Sequence, residues 1–391
     1  MTTQKKILIV YPHNFLERGS GVNKRYVEFV AYLREKGFTI DLLGLRHFKS
    51  TWRKEDIEES GKMINRLFLY DFRIGYHKQR LISLLSGRKF PGLLPDFAFP
   101  GMKSMFRKIV RNNHYDFIII GYVYWANLLK GVSLSNAVSV LTIEDFISQK
   151  LAENSAGSTD RERSEKEEIG RVNLFDKVIC LSDEEMKFFI SRTTHPGYFY
   201  VPIFMDQPVL LNREKEFDIL FIGFDNADNI EGLAWFFTKI HPLLRTGLKI
   251  VVVGKIARYA PDLPTVTRME YVEDPGEVYS KSRISINPLQ QGTGMKVKVV
   301  ESLAYQTPIV NTSKGVCGIP PEILGKFIVA DDPQDFATEI HRLLSEPGWY
   351  DEKCREAKEL FTENFASGIA KITLDKLFLT NNFHVSHDVP L

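Results

Sequence analysis

Cysteine is scarce in this 391-residue chain: there are three, at Cys180, Cys317 and Cys354, far apart and odd in number. Such a set has no paired metal spacing and offers no disulfide framework, so it fits buried thiols in a reducing compartment. Long apolar runs are missing too. The longest, Phe117 to Leu129, is too short to span a bilayer and is broken by polar residues. Met1 to Lys6 runs straight into a strand, without the cationic stretch, apolar core and cleavage site of a secretory signal. The expectation is therefore a cytoplasmic protein. Excess charge of one sign is also absent: the formal net charge is +2, which points to no particular partner. No internal repeat and no low-complexity tract appears.

What is present is ordinary globular composition, 44% hydrophobic and 26% charged, in a length that suits two domains. Charge is uneven locally. From Arg73 to Arg111 nine Lys or Arg residues stand against one acid, Asp96, with Phe90, Phe97, Phe99, Met102, Met105 and Phe106 among them. Three readings stay open for residues 73–111: contact with an anionic membrane surface on the inner face, grip on an anionic acceptor, or a basic loop packed through its aromatics. Nucleic acid is not expected, because no basic helix or aromatic RNA platform has a recognisable pattern.

The order of elements predicts parallel sheets. Lys6–Val10 is a continuous apolar run typical of a strand buried on both faces. A loop with Gly19, Ser20 and Gly21 follows, then a helical periodicity over Val22–Lys36 that stops at Gly37, then a strand over Phe38–Leu45. That is a βαβ start. Strands are expected at Phe117–Gly121, Val138–Thr142 and Lys177–Leu181, and Ser182 caps a helix with an acidic first turn. The polar stretch 208–216 reads as a linker. A second series begins at Phe217–Gly223 and continues with a helix over Ile230–Leu244 and strands at Lys249–Val253, Met269–Val272 and Ile284–Asn287. Strands at Pro308–Val310 and Phe327–Val329 and helices at Asp335–Leu344 and within Glu352–Phe378 complete it. The domain expectation is 1–207, a linker 208–216, 217–350, and a helical 351–391 packing back toward the first domain. Ligands of such open sheets bind outside the carboxyl ends of the strands.

The most informative stretch is Pro288 to Glu301. It follows a strand, turns on Gly292 and Gly294, and enters an apolar-periodic helix carrying Lys298 and Glu301. Glycines let backbone amides approach a phosphate, and a helix N-terminus adds free donors and partial positive charge. Lys298 lies four residues past Gly294, so both are expected on the same side of the helix, with Glu301 three residues further along that face. A cation for phosphate and a carboxylate for vicinal hydroxyls make a cradle for a nucleoside diphosphate. The plain alternative is a helix with ordinary surface charges.

These residues resemble the nucleotide-sugar domain of GT-B glycosyltransferases of the family 4 group. The resemblance rests on Asp218–Gly223 with Asn229 and Gly232–Phe236, on Ile250–Lys255, on Pro288–Val310, and on Thr312–Ile319. It is specific from Phe217 to Pro320. In the first half Gly21-Val22, Tyr32–Ile40 and Phe175–Ser182 with Glu185 look similar to the same family. The resemblance implies two Rossmann-like, doubly wound parallel-sheet domains, a nucleoside-diphosphate sugar as substrate and no cofactor. It implies that Glu301 holds the donor ribose, that Lys298 and the Gly292-Thr293-Gly294 turn hold the diphosphate, that Lys255 adds a second cation, and that Tyr271-Val272 edges the base, with Gly223 at the first strand's end. Gly19 and Gly21 fall on the acceptor side. Many members carry a glutamate where this chain has Thr293; a small residue at that place occurs in a subgroup that this chain resembles.

The implied reaction is sugar transfer to a hydroxyl of a saccharide or lipid-linked acceptor, in polysaccharide or glycolipid synthesis, with retention. Fixed cations and helix amides can stabilise the leaving diphosphate. No Asp-x-Asp follows a strand, so no obligatory metal is expected. Glu144 and Asp145, after Val138–Thr142, and His13, after the first strand, are candidates for acceptor-side proton chemistry; a capping Asp145, a solvated Glu144 and a structural His13 are the alternatives. A dinucleotide oxidoreductase does not fit, because Lys24 replaces the third glycine of the fingerprint. A GT-B nucleotide-sugar epimerase and a non-catalytic GT-B binding partner remain as rival readings.

Overall fold

The computed structural model describes residues 4–17, 21–46, 51–71, 94–144, 146–149, 158–194 and 197–380. Gly19, Asp145 and residues 73–93 of the basic segment lie outside them. The chain divides into two compact units. One holds the described residues up to Glu17, Val22–Val201 and those from Thr373 onward; the other holds Pro202–Ile372 together with Gly21.

The first unit is built on seven parallel strands: β1 (Lys6–Val10), β2 (Thr39–Arg46), β3 (Arg66–Asp71), β4 (Phe117–Gly121), β5 (Val138–Thr142), β6 (Lys177–Cys180) and β7 (Gly197–Tyr200). Their order is β3-β2-β1-β4-β5-β6-β7, so the direction of winding reverses between β1 and β4. The central strands are buried along nearly their whole length, which is why their sequences are unbroken Val, Ile and Leu. The helix Gly21–Glu35 ends at Gly37, whose φ of +82° only glycine adopts without strain. Ser182 caps the helix Asp183–Ile190, accepting from the Glu185 amide at 3.1 Å. The residues from Thr373 pack here as well: the Phe378 ring lies 5.0 Å from that of Phe117, and Tyr32 donates to Asp375 at 2.8 Å.

The second unit has six parallel strands: β8 (Phe217–Ile222), β9 (Ile250–Val253), β10 (Val266–Met269), β11 (Ser282–Asn287), β12 (Ile309–Asn311) and β13 (Ile328–Val329). Their order is β10-β9-β8-β11-β12-β13, with the reversal between β8 and β11. One core cluster holds Phe221, Phe236, Ile250, Ile284 and Phe336, all buried. Another joins Val299, Val300 and Leu303 to Leu360, Phe361 and Phe365 of the C-terminal helices.

Several elements differ from the sequence expectation. The strand expected at Met269–Val272 is β10, three residues earlier, and Tyr271 and Val272 follow it. As an edge strand with exposed Thr267 and Arg268 it lacks an unbroken apolar run. The single helix expected over Ile230–Leu244 is Ala227–Trp235, capped by Asn226, then a π turn Phe236–Ile240 and a 3-10 turn His241–Leu243 that contains Pro242. β3 and β7 were not foreseen; they are half-buried edges. Nor were the helices Lys54–Ser60, Pro100–Asn112 and Ser158–Val172, of which the last is mostly charged.

Candidate active site

The reversal between β8 and β11 puts two carboxyl ends side by side. β8 leads to Gly223 and β11 leads to the bend from Pro288 onward. In that bend Gly292 has φ +115° and Gly294 φ +71°, both in the region that glycine favours. A Cβ at Gly292 would come 3.0 Å from Asp228 Oδ2. Lys296 draws the bend tight, its ammonium donating to the carbonyls of Thr293 at 2.8 Å and Gly294 at 2.6 Å. Behind it Gly318, φ +82°, presses so closely that a Cβ would lie 2.7 Å from the Met295 amide nitrogen.

The helix itself is Val297–Ala304, with Lys296 as its cap. This corrects the placement of Gly294 on the helix face of Lys298: the left-handed turns at Gly292 and Gly294 break the helix before it starts. Lys298 and Glu301, three residues apart inside the helix, do share a face. The first turn of the helix follows directly on the bend, and its Val299 amide donates to the Lys296 carbonyl at 3.0 Å.

Lys298 is half-buried as a residue, but its ammonium is closely surrounded. It donates to Asn229 Oδ1 at 2.7 Å and stands 4.5 Å from the centre of the Phe221 ring. Desolvation, helped by the nearby Lys296 charge, pulls its pKa down to about 7, against the opposing pull of Glu301 and Asp228. Glu301 is buried. Tyr279 is buried beside it and stacks on Tyr305 at 4.8 Å; burial and the Glu301 charge push the Tyr279 phenol well above its usual range. A desolvated cation, a buried carboxylate, helix amides and a glycine bend thus converge.

The other residues expected on the donor side follow the ends of β8, β9 and β10. A Cβ at Gly254, φ +95°, would run into the Gly223 carbonyl, so the ends of β8 and β9 meet backbone to backbone. Lys255 follows directly, its ammonium 4.8 Å from the centre of the Phe224 ring. Tyr271 and Val272 come after edge strand β10, two strands out from β8, and Tyr271 is 54% exposed. Asn229, Lys296 and Asp228 had no assigned role in the sequence. Asn229 stood in the quoted family stretch, but an asparagine in a helix carries no chemical signal until its partner is seen.

In the first unit the equivalent reversal, between β1 and β4, brings His13 and Tyr122 together. Their ring centres are 5.8 Å apart, and His13 also meets the edge of Tyr11. Tyr122 follows Gly121 with φ +69°, a strained value for a non-glycine residue. Tyr11, Tyr26, Tyr122 and Tyr124 form a stacked series. Beneath it Glu144 is not solvated: it forms a salt bridge with Arg25 and accepts from Thr142 Oγ1 at 2.9 Å. Its Oε2 is buried without a hydrogen-bond partner among the described residues. Gly21 opens the first helix.

Two doubly wound parallel-sheet units, each with one reversal of winding, define the GT-B fold. Within it, residues 216–346 match the model of the family described as glycosyl transferases group 1. A 44.6 kDa uncharacterized protein from the cps region of Klebsiella pneumoniae is 23% identical over 318 residues, 73% of this chain and 79% of its own length. Among solved structures, a mutant of TarM from S. aureus, in complex with fondaparinux, alpha-GlcNAc-glycerol and UDP, superposes with a TM-score of 0.68 at 12% identity, covering 96% of this chain and 100% of that one. Anabaena HepE with UDP and glucose gives 0.66 at 12% identity, over 96% and 99% of the two chains.

Proposed function

We propose that this chain transfers a sugar from a nucleoside-diphosphate sugar to a hydroxyl of a saccharide or lipid-linked acceptor, in the synthesis of a surface polysaccharide or glycolipid. One observation carries the reading: the Lys298 ammonium, held on a neutral acceptor beside buried Glu301, at the mouth of an amide-lined glycine bend. The match to glycosyl transferases group 1 spans the same residues. The cps-region relative supports the polysaccharide setting.

In the reaction the bond between the anomeric carbon and the diphosphate oxygen breaks, and a bond to the acceptor oxygen forms with loss of its proton. Lys298, the first-turn amides and Lys255 stabilise the charge that grows on the leaving diphosphate, which is the larger part of the barrier. Glu301 takes the two ribose hydroxyls, and Tyr271-Val272 borders the base. No obligatory metal and retained configuration belong to the proposal. On the acceptor side His13 is the better candidate for the proton, because Glu144 Oε1 is already committed to Arg25 and Thr142.

No described helix is long and apolar enough to cross a membrane. The helix Pro100–Asn112 buries Met102, Phe106 and Ile109 and carries Lys103, Arg107, Lys108 and Arg111 with no acid. Contact of this face with anionic lipid is part of the proposal, tested by sedimentation with phosphatidylglycerol vesicles against neutral ones. Because TarM and HepE were solved with UDP, uridine diphosphate sugars are the first donors to try. Incubation of the full chain with them and lipid-linked or free saccharides should release UDP only when an acceptor is present. Epimerised donor without any acceptor would sink the transferase reading.

A further inference from the structure

The role of Lys298 depends on what holds its ammonium before a donor arrives. Every group near it has a distinct part. Phe221, from β8, offers a ring face and no counter-charge. Lys296 repels it, while Asp228 and Glu301 attract it without neutralising the cost of desolvation. The Tyr279 hydroxyl, from the helix Pro275–Lys281, donates to the Lys298 backbone carbonyl at 3.4 Å and leaves the ammonium alone. The ammonium donates its hydrogen bond to a neutral amide oxygen, Asn229 Oδ1, at 2.7 Å.

That amide is fixed in orientation. Its Nδ2 donates to the Phe224 carbonyl at 2.9 Å, so its oxygen has to face Lys298. Its own backbone amide donates to the capping Asn226 Oδ1 at 2.9 Å, which ties it to the first turn of the helix Ala227–Trp235. Beside it Gly223 has no side chain: a Cβ there would lie 3.1 Å from the Asn229 amide carbon. The absence of a side chain at Gly223 thus leaves room for the Asn229 amide.

We propose that Asn229 is a positioning residue for the donor diphosphate: it parks the Lys298 ammonium on a neutral acceptor that phosphate oxygens displace. The inference rests on the donor-binding reading of Lys298 and adds a specific demand, that the placeholder be uncharged. A carboxylate in its place would hold the lysine as an ion pair and repel the diphosphate. A residue with no acceptor would leave the ammonium with no hydrogen bond and favour its neutral form. Either change weakens donor binding, by opposite effects on the lysine's charge.

The test uses the full chain and its Asn229→Asp and Asn229→Ala variants. Lysine carbon-13 NMR follows the Lys298 signal, assigned by its loss in Lys298→Arg, as pH is raised without any ligand. The transition near 7 should rise by more than about one pH unit in Asn229→Asp and fall in Asn229→Ala. UDP-sugar affinity should drop at least about tenfold in Asn229→Asp and lose its dependence on pH between roughly 6 and 8. Unfolding midpoints are recorded for each variant. Asn229→Asp is isosteric and carries the test alone if Asn229→Ala loosens the helix. An unmoved Lys298 transition, or undiminished donor affinity in a folded Asn229→Asp, overturns the inference. If the natural chain binds no nucleotide sugar, the proposed function fails, while the titration still decides what Asn229 does to Lys298.

Discussion

The Arg25 guanidinium and the Glu144 carboxylate form a salt bridge almost sealed from water, with 6% and 1% of the two side chains exposed. Burial alone would favour a neutral Arg25; the Glu144 charge and hydrogen bond, together with Tyr26 and Tyr11, outweigh it and raise its pKa. Removing one partner strands the other. Arg25→Ala should cost about 3–5 kcal/mol in a denaturant titration, whereas Arg25→Met with Glu144→Gln should recover most of it. Equal losses in the single and double variants would show that the pair is not what matters at this place.

Backbone contact at the donor side is equally unforgiving. Gly254 has a φ of +95° and faces the Gly223 carbonyl with no room for a Cβ. Gly254→Ala should destabilise the second unit by at least about 2 kcal/mol through strain and displaced backbone. It should also weaken nucleotide binding, because the end of β8 has to move. Unchanged stability by calorimetry would contradict this packing.

The depressed pKa of Lys298 sets a direction for pH. In the free chain the ammonium loses its proton as pH rises through about 7. A bound diphosphate favours the charged form, so binding takes up a proton above that pH and affinity declines as pH rises. Between pH 6 and pH 8 the decline should be about tenfold. The sugar-bearing diphosphate has no proton of its own to lose there, so the change reports the protein. Calorimetry in two buffers of different ionisation enthalpy should register the uptake at pH 8; affinity that rises with pH would reverse the sign and refute it.

In the proposed reaction His13 takes the acceptor proton and does not hold the donor. His13→Ala should reduce turnover by at least about 100-fold while leaving the thermal shift produced by a nucleotide sugar intact. Loss of the thermal shift along with turnover would instead make His13 a structural or donor-side residue.

Much of this architecture is legible in the residues. Buried central strands announce themselves as runs such as Phe117–Gly121 and Val138–Thr142, found with the same bounds in the structure. The edge strands β3, β7 and β10 do not, because one neighbour and partial exposure allow charged residues such as Arg66 and Arg268. The bend with Gly292, Gly294, Lys298 and Glu301 is visible as a motif, since phosphate chemistry requires those residue types close together. Its assembly is not. Asn229 lies 69 positions from Lys298 in the chain and meets it only because β8 and β11 are neighbours. Glu144 looked like a solvated or catalytic carboxylate, and Arg25, 119 positions away on another element, gives it a buried partner. Long-range pairing of this kind leaves no local pattern to read.

The central claim is that the bend before Val297–Ala304 grips a nucleotide sugar through Lys298 and Glu301. Thermal unfolding of the full chain with a panel of nucleoside-diphosphate sugars tests it most directly. At about 100 times its dissociation constant the right donor should add about 2.7 kcal/mol of stability, and Lys298→Ala and Glu301→Ala should each abolish that gain while still folding. A donor that stabilises these variants as much as the natural chain would place its binding elsewhere and contradict the claim.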